Sequence, residues 1–181
     1  RGDGAKTFSL DLAETPLRDV IHRVCEATGM QYKVQPKAVI ILPAAVTAQA
    51  MRECADQGIR HFVLSSGGFA EVDEAGAKIQ RELESLIRER GLQVLGPNTS
   101  GHTSTPQGFT STFFPQGKIR RGRVSYIAQT GNFGTHTLKY ILTGEHFGVA
   151  RVVGLGNKVG LDETDAIEYL AQDPETAAIL V

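Results

Sequence analysis

Three apolar runs in this chain each stop at small, polar, turn-forming residues. His61 to Leu64 stops at Ser65-Ser66-Gly67-Gly68, Leu92 to Leu95 at Gly96-Pro97-Asn98, and Val124 to Ala128 at Gln129-Thr130-Gly131-Asn132. The last junction reads V-S-Y-I-A-Q-T-G-N-F-G and passes straight from a strand pattern into a helical one. A helix that begins there aims its free backbone N–H groups and the positive end of its dipole at one point, which suits a phosphate or carboxylate. In parallel α/β sheets ligands sit beyond the carboxyl ends of the strands, so these three ends form the candidate site. The histidines are less suggestive. His102 falls in a polar stretch and His136 inside a helical pattern, where surface or packing roles are expected. The spacing contains no metal-ligand set and no catalytic residue is assigned.

The elements that would hold these ends alternate strand and helix, which argues for parallel sheet. Thr7 to Leu12 reads as a strand, and Thr15-Pro16 opens a helix whose stripe is Leu17, Val20, Ile21, Val24 and Cys25; Gly29 closes it before a strand at Met30 to Val34. Val39 to Leu42 reads as a strand buried on both faces. A helix over about 45–57 should turn Val46, Ala50, Met51 and Cys54 inward, and a longer one over about 73–90 should bury Ala75, Ile79, Leu83, Leu86 and Ile87 before Gly91. Residues 98–123 lose periodicity, as a functional stretch or linker does. A second series follows: a strand at 124–128, a helix through about 143, a strand at 150–155, a helix from about 163 to 171, and Ala178 to Val181. A chain that stops on an apolar strand is expected to be a piece of something longer.

Composition sets the class. The 181 residues are 41% hydrophobic and 22% charged, as in soluble globular proteins, and 181 residues suffice for a sizeable core. A net charge of -1 offers no electrostatic reason for a nucleic-acid partner. The one basic cluster, Lys118, Arg120, Arg121 and Arg123, reads as a solvated loop. No run approaches a membrane span, so a cytoplasmic chain without a membrane partner is expected. Cys25 and Cys54 occupy apolar helical positions, as buried thiols of a reducing compartment do. A nicotinamide oxidoreductase is disfavoured, because no G-x-G-x-x-G follows a strand near an acidic ribose ligand.

The ordered series Pro43, S-S-G-G-F, G-P-N-T-S-G, A-Q-T-G-N-F-G, G-L-G-N-K and D-P-E-T resembles the α-subunit side of the nucleoside-diphosphate-forming acyl-CoA synthetases, the succinyl-CoA synthetase family, over residues about 38–181. The resemblance implies an α/β fold: a Rossmann-like parallel sheet followed by a partial flavodoxin-like β-α domain. The expected organisation is a β-α-β segment at 1–36, a Rossmann-like CoA-binding half at 37–98, a linker at 99–123 and a truncated ligase domain at 124–181. By position Pro43, Ser65, Ser66, Gly67, Gly96, Pro97 and Asn98 would line the CoA groove. Thr130, Gly131 and Asn132 would begin the helix that stabilises a phosphate carried on histidine. The implied reaction joins an acid and CoA at the expense of a nucleoside triphosphate, through an acyl phosphate and a phosphohistidine. Implied partners are CoA or acyl-CoA, a nucleotide-grasp β-type domain or subunit, and a second copy in a homo-oligomer; magnesium and nucleotide belong to a complete enzyme.

Two features depart from that family. Its phosphorylated histidine lies beyond the strand that ends here at Val181, so the chain alone is expected to be inactive. Its opening glycine-rich phosphate loop has no counterpart, since Gly2 and Gly4 precede the first strand. Residues about 7–34, F-S-L-D-L-A-E-T-P-L-R-D-V-I-H-R-V-C-E-A-T-G-M-Q-Y-K-V, instead resemble half of the short N-terminal module of secretins and TonB-dependent receptors, as in a chimera. The alternative to a ligase fragment is therefore a non-catalytic or engineered α/β scaffold.

Overall fold

A computed structural model describes residues 43–112, 119–129 and 147–181, all within one compact unit, Lys37–Val181. The expected β-α-β segment at 1–36, the strand at 39–42 and the helix beginning near Gly131 lie outside the described residues, as do Cys25, Lys118 and His136.

Helix α1, Ala44–Asp56, leads into strand β1, His61–Val63. Helix α2, Glu74–Arg90, leads into β2, Gln93–Leu95. Strands β1 and β2 pair in parallel, with Phe62 opposite Val94. The ends of α2 follow from its sequence. Asp73 accepts a hydrogen bond from the Gly76 amide at 2.7 Å, and Gly91 takes the left-handed conformation at φ 60° that closes the helix.

Two buried faces differ from the periodicity reading. In α1, Thr47, Ala48, Met51, Cys54 and Ala55 are buried while Val46 and Ala50 are only half-buried. Thr47 tolerates this because its hydroxyl donates to the Pro43 carbonyl at 3.1 Å. In α2 Ala75 is exposed, and Gly76 is buried in its place. A side chain there would overlap the Phe69 carbonyl, so the Phe69 turn packs directly on the helix start. Cys54 is fully buried, and desolvation, with the neighbouring Glu53 charge, raises its pKa and keeps it a thiol.

The second sheet has the order β4-β3-β6-β5-β7. Its members are β3 His102–Ser104, β4 Phe109–Thr110, β5 Arg121–Ala128, β6 Val149–Gly154 and β7 Ala178–Leu180. Strand β5 runs parallel to β6 and β7, whereas β3 is antiparallel to both β4 and β6. The polar stretch after Asn98 thus carries a hairpin joined to the parallel sheet. Helix α3, Glu163–Gln172, has a reciprocal cap between Asp162 and Asp165. Strand β5 is buried on both faces: Tyr126 and Ala128 pack with Val149 and Val152, while Ile127 packs with Leu95, Leu155, Ala166 and Leu170. Leu95 in the second cluster is a β2 residue, so apolar burial continues from one sheet to the other.

His102 packs its ring on Phe109 at 5.1 Å between centroids. Burial, with the nearby Arg151 charge, lowers its pKa. The folded state therefore resists the proton that the unfolded chain accepts near 6.5, so this contribution is complete above that pH and is lost as pH falls through the folded value. Replacing His102 with glutamine should flatten the fall in thermal midpoint between pH 7.5 and 5, as read by melts across that range. An unchanged pH slope would show that His102 does not control it.

Candidate functional site

The carboxyl ends of β1 and β2 are stitched together by backbone. Leu64 N donates to Leu95 O at 2.9 Å, Asn98 N to Ser66 O at 2.8 Å, and Thr99 N to Leu64 O at 3.4 Å. Gly96 lies so close to the first junction that a Cβ there would come within 2.5 Å of the Leu64 carbonyl oxygen. Gly67 sits over Asn98: a Cβ on it would lie 3.5 Å from Asn98 Oδ1. Gly68 abuts Ala44, the first residue of α1, which brings Pro43 to the same rim. The structure therefore gathers Pro43, Ser65, Ser66, Gly67, Gly96, Pro97 and Asn98. Ser65 Oγ is buried without a hydrogen-bond partner among the described residues. Asn98 adopts φ 57°, a left-handed conformation uncommon outside glycine that concentrates at functional sites.

The G-L-G-N-K turn after β6 closes on this rim. Asn157 N donates to Pro97 O at 2.8 Å, Val159 N to Gly96 O at 3.1 Å, and Leu161 N to Val94 O at 2.9 Å, so the segment runs along β2 like an added strand. On its other side Leu155 N donates to Ala128 O at 2.8 Å and Gly156 N to Gln129 O at 3.0 Å. The three strand ends singled out in the sequence thus meet through Gly156 and Asn157. Thr130, Gly131 and Asn132 lie outside the described residues, directly after Gln129.

One carboxylate sits at the meeting point. Glu71 Oε1 accepts from the Gly68 amide at 2.7 Å and the Phe69 amide at 3.3 Å, and Oε2 accepts from Asn157 Nδ2 at 2.6 Å. Asn157 Nδ2 also donates to Gln80 Oε1 at 3.1 Å, and Asn98 Nδ2 reaches Asn157 Oδ1 at 3.5 Å. Partial burial acts to raise the Glu71 pKa, but the hydrogen bonds from Asn157, Gly68 and Phe69 outweigh it and the pKa is lowered. Glu71 and Gln80 escape sequence reasoning because their partner is distant in the chain. The available signal for Asn157 was its place in the turn after a buried strand.

Comparison with known proteins finds these junctions in a chain similar to part of several CoA ligases. Residues 121–181 match the succinyl-CoA ligase like flavodoxin domain. The chain is 35% identical over 144 residues to acetate–CoA ligase [ADP-forming] II of Archaeoglobus fulgidus, covering 78% of this chain and 21% of that protein. It is 34% identical to acetate–CoA ligase [ADP-forming] I subunit alpha of Pyrococcus furiosus, covering 80% of this chain and 31% of that one. A solved structure of the dinucleotide forming acetyl-coenzyme A synthetase 1 of Ca. Korarchaeum cryptofilum, in complex with phosphate and ADP, superposes with a TM-score of 0.73 at 31% identity, over 81% of this chain and 32% of that one. The chain therefore spans between a fifth and a third of these relatives, and is similar to part of the α side of NDP-forming acyl-CoA synthetases. The α/β reading with flavodoxin-like architecture holds. These similarities give the secretin-type likeness of residues about 7–34 no support, and those residues lie outside the described structure.

Among the described residues, no helix is long and apolar enough to cross a membrane, and no group of three or more His, Cys, Asp or Glu is placed to hold a metal ion.

Proposed function

We propose that this chain contributes the CoA-binding and acyl-transfer side of an NDP-forming acyl-CoA synthetase, acting in the cytoplasm with a nucleotide-grasp β-type domain or subunit. Pro43, Ser65, Ser66, Gly67, Gly96, Pro97 and Asn98 hold CoA, and Thr130, Gly131 and Asn132 stabilise a phosphate carried on a histidine. The complete reaction takes an acid, CoA and a nucleoside triphosphate to acyl-CoA, the diphosphate and phosphate; magnesium and nucleotide belong to the partner's side. The observation that carries the reading is the convergence of three strand ends on one rim with a buried, unpartnered Ser65 hydroxyl. Such a hydroxyl suits a ligand atom that arrives from outside the chain.

The absence of a glycine-rich phosphate loop before Val39 favours a second reading, an α/β scaffold without activity. Calorimetric titration of the chain with CoA separates them. Losing two charge-assisted hydrogen bonds, each about 1.5–3 kcal/mol, weakens binding by about a hundredfold or more, so the expected constant is high micromolar. Gly67→Val, which fills the space between Glu71 and Asn98, should abolish it. Heat release absent in the parent chain, or unaffected by Gly67→Val, would favour the scaffold.

A further inference from the structure

We propose that Glu71 is a positioning residue: its carboxylate, through Asn157, locks the Gly154–Lys158 turn against the Ser65–Gly68 loop and so sets the shape of the groove. Insofar as it concerns CoA, this rests on the function proposed above. The observation is the division of labour between the two carboxylate oxygens. Oε1 holds the Gly68 and Phe69 amides of the β1 junction, while Oε2 holds Asn157 of the β6 junction, 86 positions away. Asn157 in turn touches Gln80 of α2 and Asn98 of the β2 junction. Its neighbour Lys158 is held at φ 59°, and Asn98 at φ 57°. Two left-handed non-glycine residues therefore flank this side-chain bridge between the loops, and such conformations persist only where surroundings over-determine them. Backbone bonds from residues 157, 159 and 161 to the carbonyls of Pro97, Gly96 and Val94 carry the turn's position along β2.

The chemistry of the pair supplies a reciprocal test. Asn157→Asp sets a carboxylate against Glu71 at hydrogen-bond distance, a repulsion that no amide flip relieves. Adding Glu71→Gln restores a donor opposite an acceptor with the roles exchanged. In the full chain, hydrogen exchange at the amides of residues 157, 159 and 161 should speed up in Asn157→Asp and return to the parental rate in the double variant. The defect should shrink as pH falls, because one of the paired carboxyls takes up a proton and donates to the other. CoA affinity should follow, dropping about tenfold or more in the single variant and recovering in the double. Should Asn157→Asp fail to fold, recovery of folding in the double variant supports the bridge and persistent failure overturns it. Exchange rates untouched by Asn157→Asp, or a double variant no better than the single, likewise overturn it. If exchange behaves as expected while the parent chain binds no CoA, the bridge stands and the CoA reading falls.

Discussion

Asp173→Ala is expected to destabilise the described unit by about 3–5 kcal/mol, the cost of breaking a buried ion pair by removing one partner. Asp173 and Arg151 are 5% and 7% exposed, and their contact is bidentate, Nε to Oδ2 at 3.0 Å and Nη2 to Oδ1 at 3.1 Å. The same carboxylate accepts from the Thr176 hydroxyl at 2.8 Å and the Glu175 amide at 3.3 Å. Arg151 Nη1 donates to Ser104 and Gln107, and Thr176 shares a hydrogen bond with the fully buried Ser125 at 2.8 Å. Strands β3, β5 and β6 and the turn after α3 thus all hang on one pair of charges. Removing the carboxylate leaves a guanidinium that is only 7% exposed without its charged partner.

The pH dependence follows from the same contacts. Arg151's hydrogen bonds, together with those of Thr176 and Glu175, hold the Asp173 pKa at about 2 against an ordinary value of 3.8. A depressed carboxylate pKa gives stability that is complete above the unfolded value and is lost as pH falls from 3.8 through about 2. Denaturant unfolding at pH 7 and at pH 2.5 should therefore separate parent and Asp173→Ala widely at pH 7 and less at the lower pH. Joint replacement, Arg151→Met with Asp173→Leu, should recover much of the loss, since a well-packed apolar pair often replaces a buried ion pair without cost. A loss below about 1 kcal/mol in Asp173→Ala would place the pair among weak surface contacts instead.

That network also marks where the sequence was legible and where it was not. The caps of α2 could be read because Asp73 and Gly91 act within a few residues of the ends they close. The three strand ends could be read because small turn-forming residues follow apolar runs directly. D-P-E-T was recognisable as a motif, but its aspartate meets an arginine 22 positions earlier in the chain, on another strand, which no local pattern reveals. The hairpin β3–β4 was invisible for a different reason. Its strands have no apolar alternation, because they pair through hydroxyls, with Thr103 and Thr110 sharing a hydrogen bond at 2.9 Å. Glu71 was missed because a solvent-side glutamate three residues past a glycine turn looks like any charged surface residue until the partner loop arrives. Local signals thus located the candidate groove, and long-range polar pairs fix its shape.

Gly156→Ala is the second large expected effect, and it bears on the groove itself. Gly156 lies at φ 68°, and a Cβ there would overlap the Pro97 carbonyl oxygen and come within 2.9 Å of the Asn98 carbonyl. Left-handed backbone costs an L-residue about 1–2 kcal/mol and overpacking about 1–3 kcal/mol, so the substitution should destabilise by about 2–5 kcal/mol in all. Gly91 supplies the control. It has nearly the same backbone at φ 60°, yet its added Cβ meets nothing within 4 Å, so Gly91→Ala should show the backbone cost alone, about 1–2 kcal/mol. Equal losses in the two variants, measured by denaturant unfolding, would mean that the turn yields without displacing Pro97 and Asn98. If the turn does not yield, relief of the overlap must push the β2 junction away from Ser66 and Gly67. The CoA binding proposed for this groove should then be lost in Gly156→Ala even at temperatures where it stays folded, and kept in Gly91→Ala, at the far end of α2.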